Sequence, residues 1–184
     1  MAVARVRAAT PEDVPTLAAL HAATWRAAYS ELLPPGVLAE LDAPHLRKAW
    51  ADAIDGGAMV LIATEGDDPV GFVVAGPAPE DDVAAADGAL PPDAARTVLV
   101  STLLVEPRWG RRGHGGRLLA AVAAGLRDAG ATRGIAWVPA EDPALLSFYR
   151  RAGWNPDSTL RTLDAGGRFL REVRLTGPLD FVLT

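Results

Sequence analysis

The sequence predicts an α/β fold in which a mixed, largely antiparallel sheet is flanked by helices. Two pairs of apolar segments rich in β-branched residues, at 59–75 and 159–175, are each joined by a turn as in antiparallel hairpins. Between them, a strand, a helix and a second strand follow one another from Thr97 to Val138. A right-handed crossover of this kind makes the two strands parallel neighbours, so one parallel pair is expected in the sheet.

The composition is that of one globular domain, predicted to cover residues 1–184. The chain is 49% hydrophobic and long enough for a sizeable core. It has no cysteine, which excludes disulfides and thiolate chemistry, and its three histidines show no metal-ligand spacing, so no metal is predicted. The formal charge of -5 argues against nucleic-acid binding, and no apolar run could span a bilayer. We expect a cytoplasmic protein with no nucleic-acid or membrane partner.

In the first half of the chain, start and stop signals predict a strand, two helical regions and a hairpin. Residues 4–8 alternate as a short strand, and Thr10 with Pro11 begins a helix that runs to about Tyr29. A second helical region covers 37–54. The hairpin joins 59–64 to 70–75, and an acidic, proline-rich segment at about 77–95 is predicted as a flexible loop.

The second half centres on the stretch from Thr97 to Leu119. An apolar strand ends in a basic, glycine-rich turn, and a helix is predicted from Gly116 to Ala129 with Gly130 at its C-cap. The next strand is predicted at 132–138. Asp142 and the following proline begin another helix, which stops at a glycine before the final hairpin.

The glycine-rich turn is the strongest functional signal in the chain. Its glycines at 113, 115 and 116 allow the backbone to approach a ligand closely. The unpaired N–H groups and the dipole at the start of a helix favour an anion there. His114, within the turn, is expected at the surface. We predict a diphosphate site whose guanidinium groups come from Arg108, Arg111, Arg112 and Arg117.

Three motif classes use such a turn, and two of them fit poorly. A P-loop needs Lys and Ser or Thr where this chain has Gly116 and Arg117. A dinucleotide fingerprint needs a third glycine where this chain has Leu118. Residues 105–116 read V-E-P-R-W-G-R-R-G-H-G-G, which resembles the acetyl-CoA motif of the GCN5-related N-acetyltransferases, the GNAT family. Gly110 stands where that family usually has Gln or Arg.

A second stretch, 142–154, resembles the family's N-x-x-A-x-x-x-Y-x-x-x-G-F. Tyr149, Gly153 and Trp154 are in register, whereas Asp142 replaces Asn and Leu145 replaces Ala. With the order of strands and helices around the two motifs, the resemblance covers most of the chain. Its specific residues are concentrated between positions 103 and 154.

The resemblance implies a GNAT-like domain acting as an N-acetyltransferase, with acetyl-CoA as co-substrate. It implies direct attack by a primary amine of a small molecule or peptide in a ternary complex, with Tyr149 as the acid that protonates the leaving thiolate. A homodimer is compatible with it. The cofactor-binding residues that it implies are Leu103, Leu104, Val105, Arg111, Arg112, Gly113, His114, Gly115, Gly116 and Asp142.

By the same resemblance, the segment between the first two helices borders the acceptor pocket, which makes Trp25, Tyr29 and Glu31 candidates for substrate binding. The aromatic residues fit a role in the core equally well. The general base stays open between Glu31, Glu106, Asp142 and a water relay. The alternative function is a non-catalytic acyl-CoA-binding sensor or interaction module of the same fold, and the failed P-loop match disfavours a nucleotide-phosphate enzyme.

Overall fold

The computed structural model describes residues 3–30, 34–39, 43–164, 167 and 169–181. In this part of the chain the strands are β1 (Ala4–Ala8), β2 (Met59–Glu65), β3 (Asp68–Pro77), β4 (Thr97–Val105), β5 (Arg133–Pro139), β6 (Asn155–Asp164) and β7 (Phe169–Gly177). The helices are α1 (Val14–Tyr29), α2 (Pro35–Ala39), α3 (Ala43–Asp55), α4 (Glu80–Val83), α5 (His114–Asp128) and α6 (Pro143–Arg151).

The strands form one sheet in the order β1-β2-β3-β4-β5-β7-β6. Pairing is antiparallel between β1 and β2, between β5 and β7 and between β6 and β7, whereas β4 and β5 are parallel, with Thr97 opposite Arg133. The predicted fold class, including the parallel pair, is therefore confirmed. Among the described residues, no helix is both long and apolar enough to cross a membrane.

Contacts within the chain group the described residues into two compact units. The first comprises the described residues of 3–74, residues 102–119 and residue 167, and the second comprises 75–101, 120–164 and 169–181. Most predicted elements are present with boundaries shifted by a few residues. The second helical region differs, because it consists of two helices, α2 and α3.

The acidic segment at about 77–95 contains the short helix α4 and is tied to other parts of the second unit. Asp82 Oδ1 accepts hydrogen bonds from Trp137 Nε1 at 2.8 Å and from Arg161 at 2.9 Å. Asp93 accepts from Arg133 Nε at 2.7 Å, and this guanidinium lowers the pKa of the Asp93 carboxyl. Two carboxylates of the segment are thus paired with arginines of the same unit. The predicted flexibility of the segment stays a prediction.

The core of the first unit is an aromatic and aliphatic cluster formed by α1, α3, β2 and β3. Trp50 and Phe72 are buried, and their rings meet edge to face with centroids 4.8 Å apart. His21 lies beside them, with its ring centroid 5.8 Å from that of Trp50 and 5.6 Å from that of Phe72. Both ring nitrogens of His21 are buried without a hydrogen-bond partner among the described residues. Burial lowers the pKa of His21 to about 4, so the ring is neutral at pH 7.

The second unit is organised around Trp154, whose side chain is fully buried. Gly134 and Gly177 face each other across β5 and β7, and a Cβ on either would come within 2.3 Å of the indole ring. The indole Nε1 donates to the carbonyl oxygen of Pro178 at 2.8 Å. The indole therefore fills the space that two missing side chains leave, and its one polar atom is satisfied.

Because the ring nitrogens of His21 are buried and the ring is neutral, we expect the protein to lose stability in acid. The pKa is about 6.5 in the unfolded chain and about 4 in the folded one, so between pH 6.5 and pH 4 mainly the unfolded state carries the proton. The free energy of unfolding should fall by about 2 kcal/mol from this group between pH ~7.5 and pH ~5. Denaturant unfolding at the two pH values should show that the His21→Leu variant lacks this part of the decrease.

The matched control is His45→Leu, which changes the exposed histidine of α3 and should keep the pH dependence of the parent chain. If His21→Leu and His45→Leu depended on pH alike, neutral burial of His21 would not be a source of the acid sensitivity.

The packing of Trp154 predicts an asymmetry between two glycines. Gly177→Ala should lower the free energy of unfolding by about 1 to 3 kcal/mol, because the new methyl group would overlap Trp154 ring and backbone atoms. Gly76→Ala, in β3 of the same unit, meets nothing within 4 Å and should change stability by less than about 0.5 kcal/mol. Urea unfolding of both variants measures this, and equal losses would contradict the packing argument.

Candidate active site

The glycine-rich turn begins where β4 ends. The N–H of Glu106 donates to the carbonyl of Val70 at 2.9 Å, and a 3-10 turn at Pro107–Trp109 follows. Arg111 and Gly113 then adopt positive φ angles of 62° and 82°. These left-handed residues turn the chain directly into α5, which begins at His114 and not at the predicted Gly116. The N–H groups of the first turn of α5 have no acceptor within the helix and are therefore donors for a ligand.

Two of the four arginines around the turn are already paired with carboxylates. Arg108 Nε lies 2.7 Å from Glu106 Oε1, and Arg112 Nη1 lies 3.2 Å from Glu65 Oε1. The guanidinium of Arg112 also covers the ring of Trp109, 4.8 Å from its centroid. Arg117 Nη1 donates to the carbonyl oxygen of Arg112 at 3.0 Å. The arginines are thus partly used to hold the turn in shape.

His114 is not the surface residue that the sequence suggested, because its side chain is only 1% exposed. Its Nε2 lies 2.9 Å from Glu65 Oε2. The other ring nitrogen, Nδ1, is buried without a hydrogen-bond partner among the described residues, as is Trp109 Nε1. As the first residue of α5, His114 anchors the start of the helix beneath the turn.

These groups fit an anionic ligand with several oxygen atoms. Helix-start N–H groups, guanidinium groups and the unpartnered indole N–H of Trp109 all lie on residues 109–117. Each can act as a donor, and a diphosphate presents acceptors only. The residue types therefore suit the diphosphate that the sequence motif suggested.

The candidate residues Leu103, Leu104 and Val105 are half-buried at the end of β4. The neighbouring strand comes close at Gly71, where a Cβ would lie 2.6 Å from the carbonyl oxygen of Leu104. Leu104 also packs against the core cluster that contains Trp50 and Phe72. The position of the end of β4 is thus determined by close contact with the backbone of β3 and by packing of Leu104 against the aromatic cluster.

The three acceptor-side candidates have different outcomes. Trp25 is half-buried, and its ring meets His21 edge to face with centroids 5.4 Å apart, so it is part of the aromatic packing of the first unit. Tyr29 ends α1, but its side chain lies outside what the structure describes. Glu31 lies outside the described residues.

Asp142 and Tyr149 belong to the second unit and are set by α6. Asp142 Oδ1 accepts from the N–H of Leu145 at 2.9 Å, which is the predicted helix cap. Tyr149 is buried, and its ring is stacked on Trp154 with centroids 5.4 Å apart. Two hydrogen bonds, from the N–H groups of Ala152 and Trp154 to the carbonyl oxygen of Tyr149, close the end of the helix.

Glu65 is the site residue that sequence reasoning missed. It lies 47 residues before Arg112 and 49 before His114, in the turn between two predicted strands. Nothing local marks it, because acidic residues are ordinary in hairpin turns. Among the described residues, no cluster of three or more potential metal ligands is present.

Comparison with known proteins shows which family this chain is similar to. A sequence model of the acetyltransferase (GNAT) family matches residues 20–154. A probable N-acetyltransferase of Mycobacterium tuberculosis is 28% identical over 156 residues, which cover 83% of this chain and 80% of that protein.

Solved structures share the fold at low sequence identity. The PaiA N-acetyltransferase of Thermoplasma acidophilum in complex with coenzyme A matches with a TM-score of 0.69 at 14% identity, covering 96% of this chain and 99% of that one. YncA of Salmonella typhimurium, a putative acetyltransferase with its cofactor acetyl-CoA, matches with a TM-score of 0.70 at 17% identity, covering 98% and 96%. Because the family model matches 135 residues of the sequence, this chain belongs to the acetyltransferase (GNAT) family.

Proposed function

We propose that this protein transfers an acetyl group from acetyl-CoA to a primary amine of a small molecule or peptide. The observation that carries the proposal is the turn at 110–113, where left-handed Arg111 and Gly113 lead directly into the first residue of α5. This gives the family's motif a backbone suited to a diphosphate. The solved relatives with coenzyme A and acetyl-CoA support the choice of co-substrate.

In the proposed complex, the backbone from Arg111 to Gly116 holds the diphosphate. Arg111 or Arg112 takes the place of the Gln or Arg that the motif usually has at position 110, and both are exposed, Arg112 with 53% of its side chain. Its guanidinium has five N–H donors, so binding Glu65 leaves others for a phosphate oxygen. Asp142 is a helix cap in this chain, and its proposed contact with the pantetheine arm comes from the family motif alone.

The bound co-substrate supplies a thioester, whose carbonyl carbon the amine nitrogen attacks. A backbone N–H of residues 103–105 stabilises the carbonyl oxygen as it gains negative charge. The C–S bond then breaks, and the Tyr149 hydroxyl gives its proton to the departing thiolate. The amine proton passes to a base. No cysteine exists to form an acyl-enzyme, which favours direct attack in a ternary complex.

The base stays unassigned. Glu106 is paired with Arg108, Asp142 caps α6, and Glu31 lies outside the described residues. A water relay remains the fourth candidate. The acceptor residues Trp25, Tyr29 and Glu31, the homodimer and the cytoplasmic location stay predictions from the sequence.

Ligand-dependent thermal unfolding tests the proposal. Acetyl-CoA and CoA should raise the melting temperature selectively, whereas ATP and NAD should not. A ligand at 100 times its Kd stabilises the folded state by about 2.7 kcal/mol, which a melting curve detects readily. No shift with either CoA species would contradict the proposed co-substrate. Binding of acetyl-CoA without CoA release against a broad panel of amines would favour a non-catalytic acyl-CoA sensor.

The proposed acid predicts the behaviour of Tyr149→Phe. Turnover at saturating substrates should fall by about 10²- to 10⁴-fold, because the thiolate loses its proton donor. Phenylalanine keeps the ring that stacks on Trp154, so the affinity for CoA should stay close to that of the parent chain. Steady-state kinetics with CoA titration measures both, and unchanged turnover would remove Tyr149 from the acid role.

A further inference from the structure

Glu65, the last residue of β2, uses both carboxylate oxygens on the glycine-rich turn. Oε1 lies 3.2 Å from Arg112 Nη1, and Oε2 lies 2.9 Å from His114 Nε2. The carboxylate is largely buried, with 19% of its side chain exposed. A single side chain therefore bridges a sheet strand and two residues on either side of Gly113.

These two contacts fix the part of the turn that is conformationally free. Arg111 and Gly113 are left-handed, and glycine reaches other backbone conformations at little cost. Gly113 lies between Arg112 and the buried His114, which both contact Glu65, and its backbone therefore has little freedom to rotate. Glu65, which is outside the motif, therefore contacts both residues that flank Gly113.

A carboxylate beside an anion site has two opposing effects. It repels the anion, and it orders the donors that bind the anion. Here the charge of Glu65 is countered by the Arg112 guanidinium at hydrogen-bond distance, which weakens the repulsion. The ordering effect is not weakened in this way. Arg112 is held between Glu65 and the Trp109 ring, with its guanidinium 4.8 Å from the ring centroid.

We propose that Glu65 is a positioning residue for the diphosphate of CoA, acting through Arg112 and His114 without touching the ligand. The inference rests on the proposed function. It assigns a role to a residue outside both sequence motifs, and it predicts that removing a negative charge beside an anion site weakens binding of the anion.

The test is calorimetric titration of the full chain and of Glu65→Ala with two ligands, CoA and pantetheine. Pantetheine lacks the diphosphate. The Kd for CoA should rise about tenfold in Glu65→Ala, because the turn loses two charge-assisted contacts. The Kd for pantetheine should change by less than about twofold, since the loss concerns only the diphosphate donors.

Two further variants make the result specific. Glu65→Gln keeps an acceptor for Arg112 and should lose less CoA affinity than Glu65→Ala, and it replaces that variant if alanine is not tolerated. Asp13→Ala breaks a bidentate ion pair with Arg7 in the same unit, and the Asp13 side chain is 14% exposed. This control should leave the Kd for CoA within about twofold of that of the parent chain.

Tighter CoA binding by Glu65→Ala would show that repulsion dominates and would overturn the inference. An equal loss for CoA and pantetheine, or no loss for either, would also overturn it. If the parent chain itself bound no CoA, both the proposed function and the inference would be contradicted. If the parent chain bound CoA and Glu65→Ala bound it equally well, only the inference would be contradicted.

Discussion

The left-handed backbone at Arg111 is the constraint on which the candidate site depends. A residue with a Cβ adopts this conformation at a cost of about 1 kcal/mol or more, so the surrounding structure must compensate it. The compensation is visible in the contacts of the next residue. Arg112 is held by Glu65 through its guanidinium and by Arg117 through its carbonyl oxygen. Without this reversal, α5 would not begin at His114, and its free N–H groups would not follow β4 so closely.

Pairing between arginines and carboxylates recurs in both units and changes how the charge of the chain should be understood. The first unit contains the pairs Arg108 with Glu106 and Arg112 with Glu65. In the second unit, the pairs are Arg133 with Asp93, Arg161 with Asp82 and Glu172, and Arg174 with Asp157. The arginine-rich turn therefore has two of its four arginines, Arg108 and Arg112, paired with carboxylates. A ligand gains most from it by meeting the oriented N–H donors, which favours a compact diphosphate over an extended polyanion.

Much of the fold could be predicted because its signals are local. Asp142 caps α6 through the N–H of Leu145, and Gly130 closes α5 with a φ of 97°. The hairpins and the parallel pair followed from turn residues and from the crossover rule. Sequence reasoning erred on His114 because burial depends on a partner 49 residues away. The same distance hid Glu65, since one sequence shows the turn but not which side chain folds beneath it.

The second motif has a structural meaning that is independent of catalysis. Tyr149, Gly153 and Trp154 form one packing unit, because Gly153 adopts a φ of 80° and the following indole returns to stack on the tyrosine ring. The indole is in turn held by two facing glycines, Gly134 and Gly177. Phenylalanine at position 149 would satisfy the ring contacts as well as tyrosine does. Packing alone therefore explains why the motif has an aromatic ring at this position. The proposed role of Tyr149 as an acid depends only on its hydroxyl group.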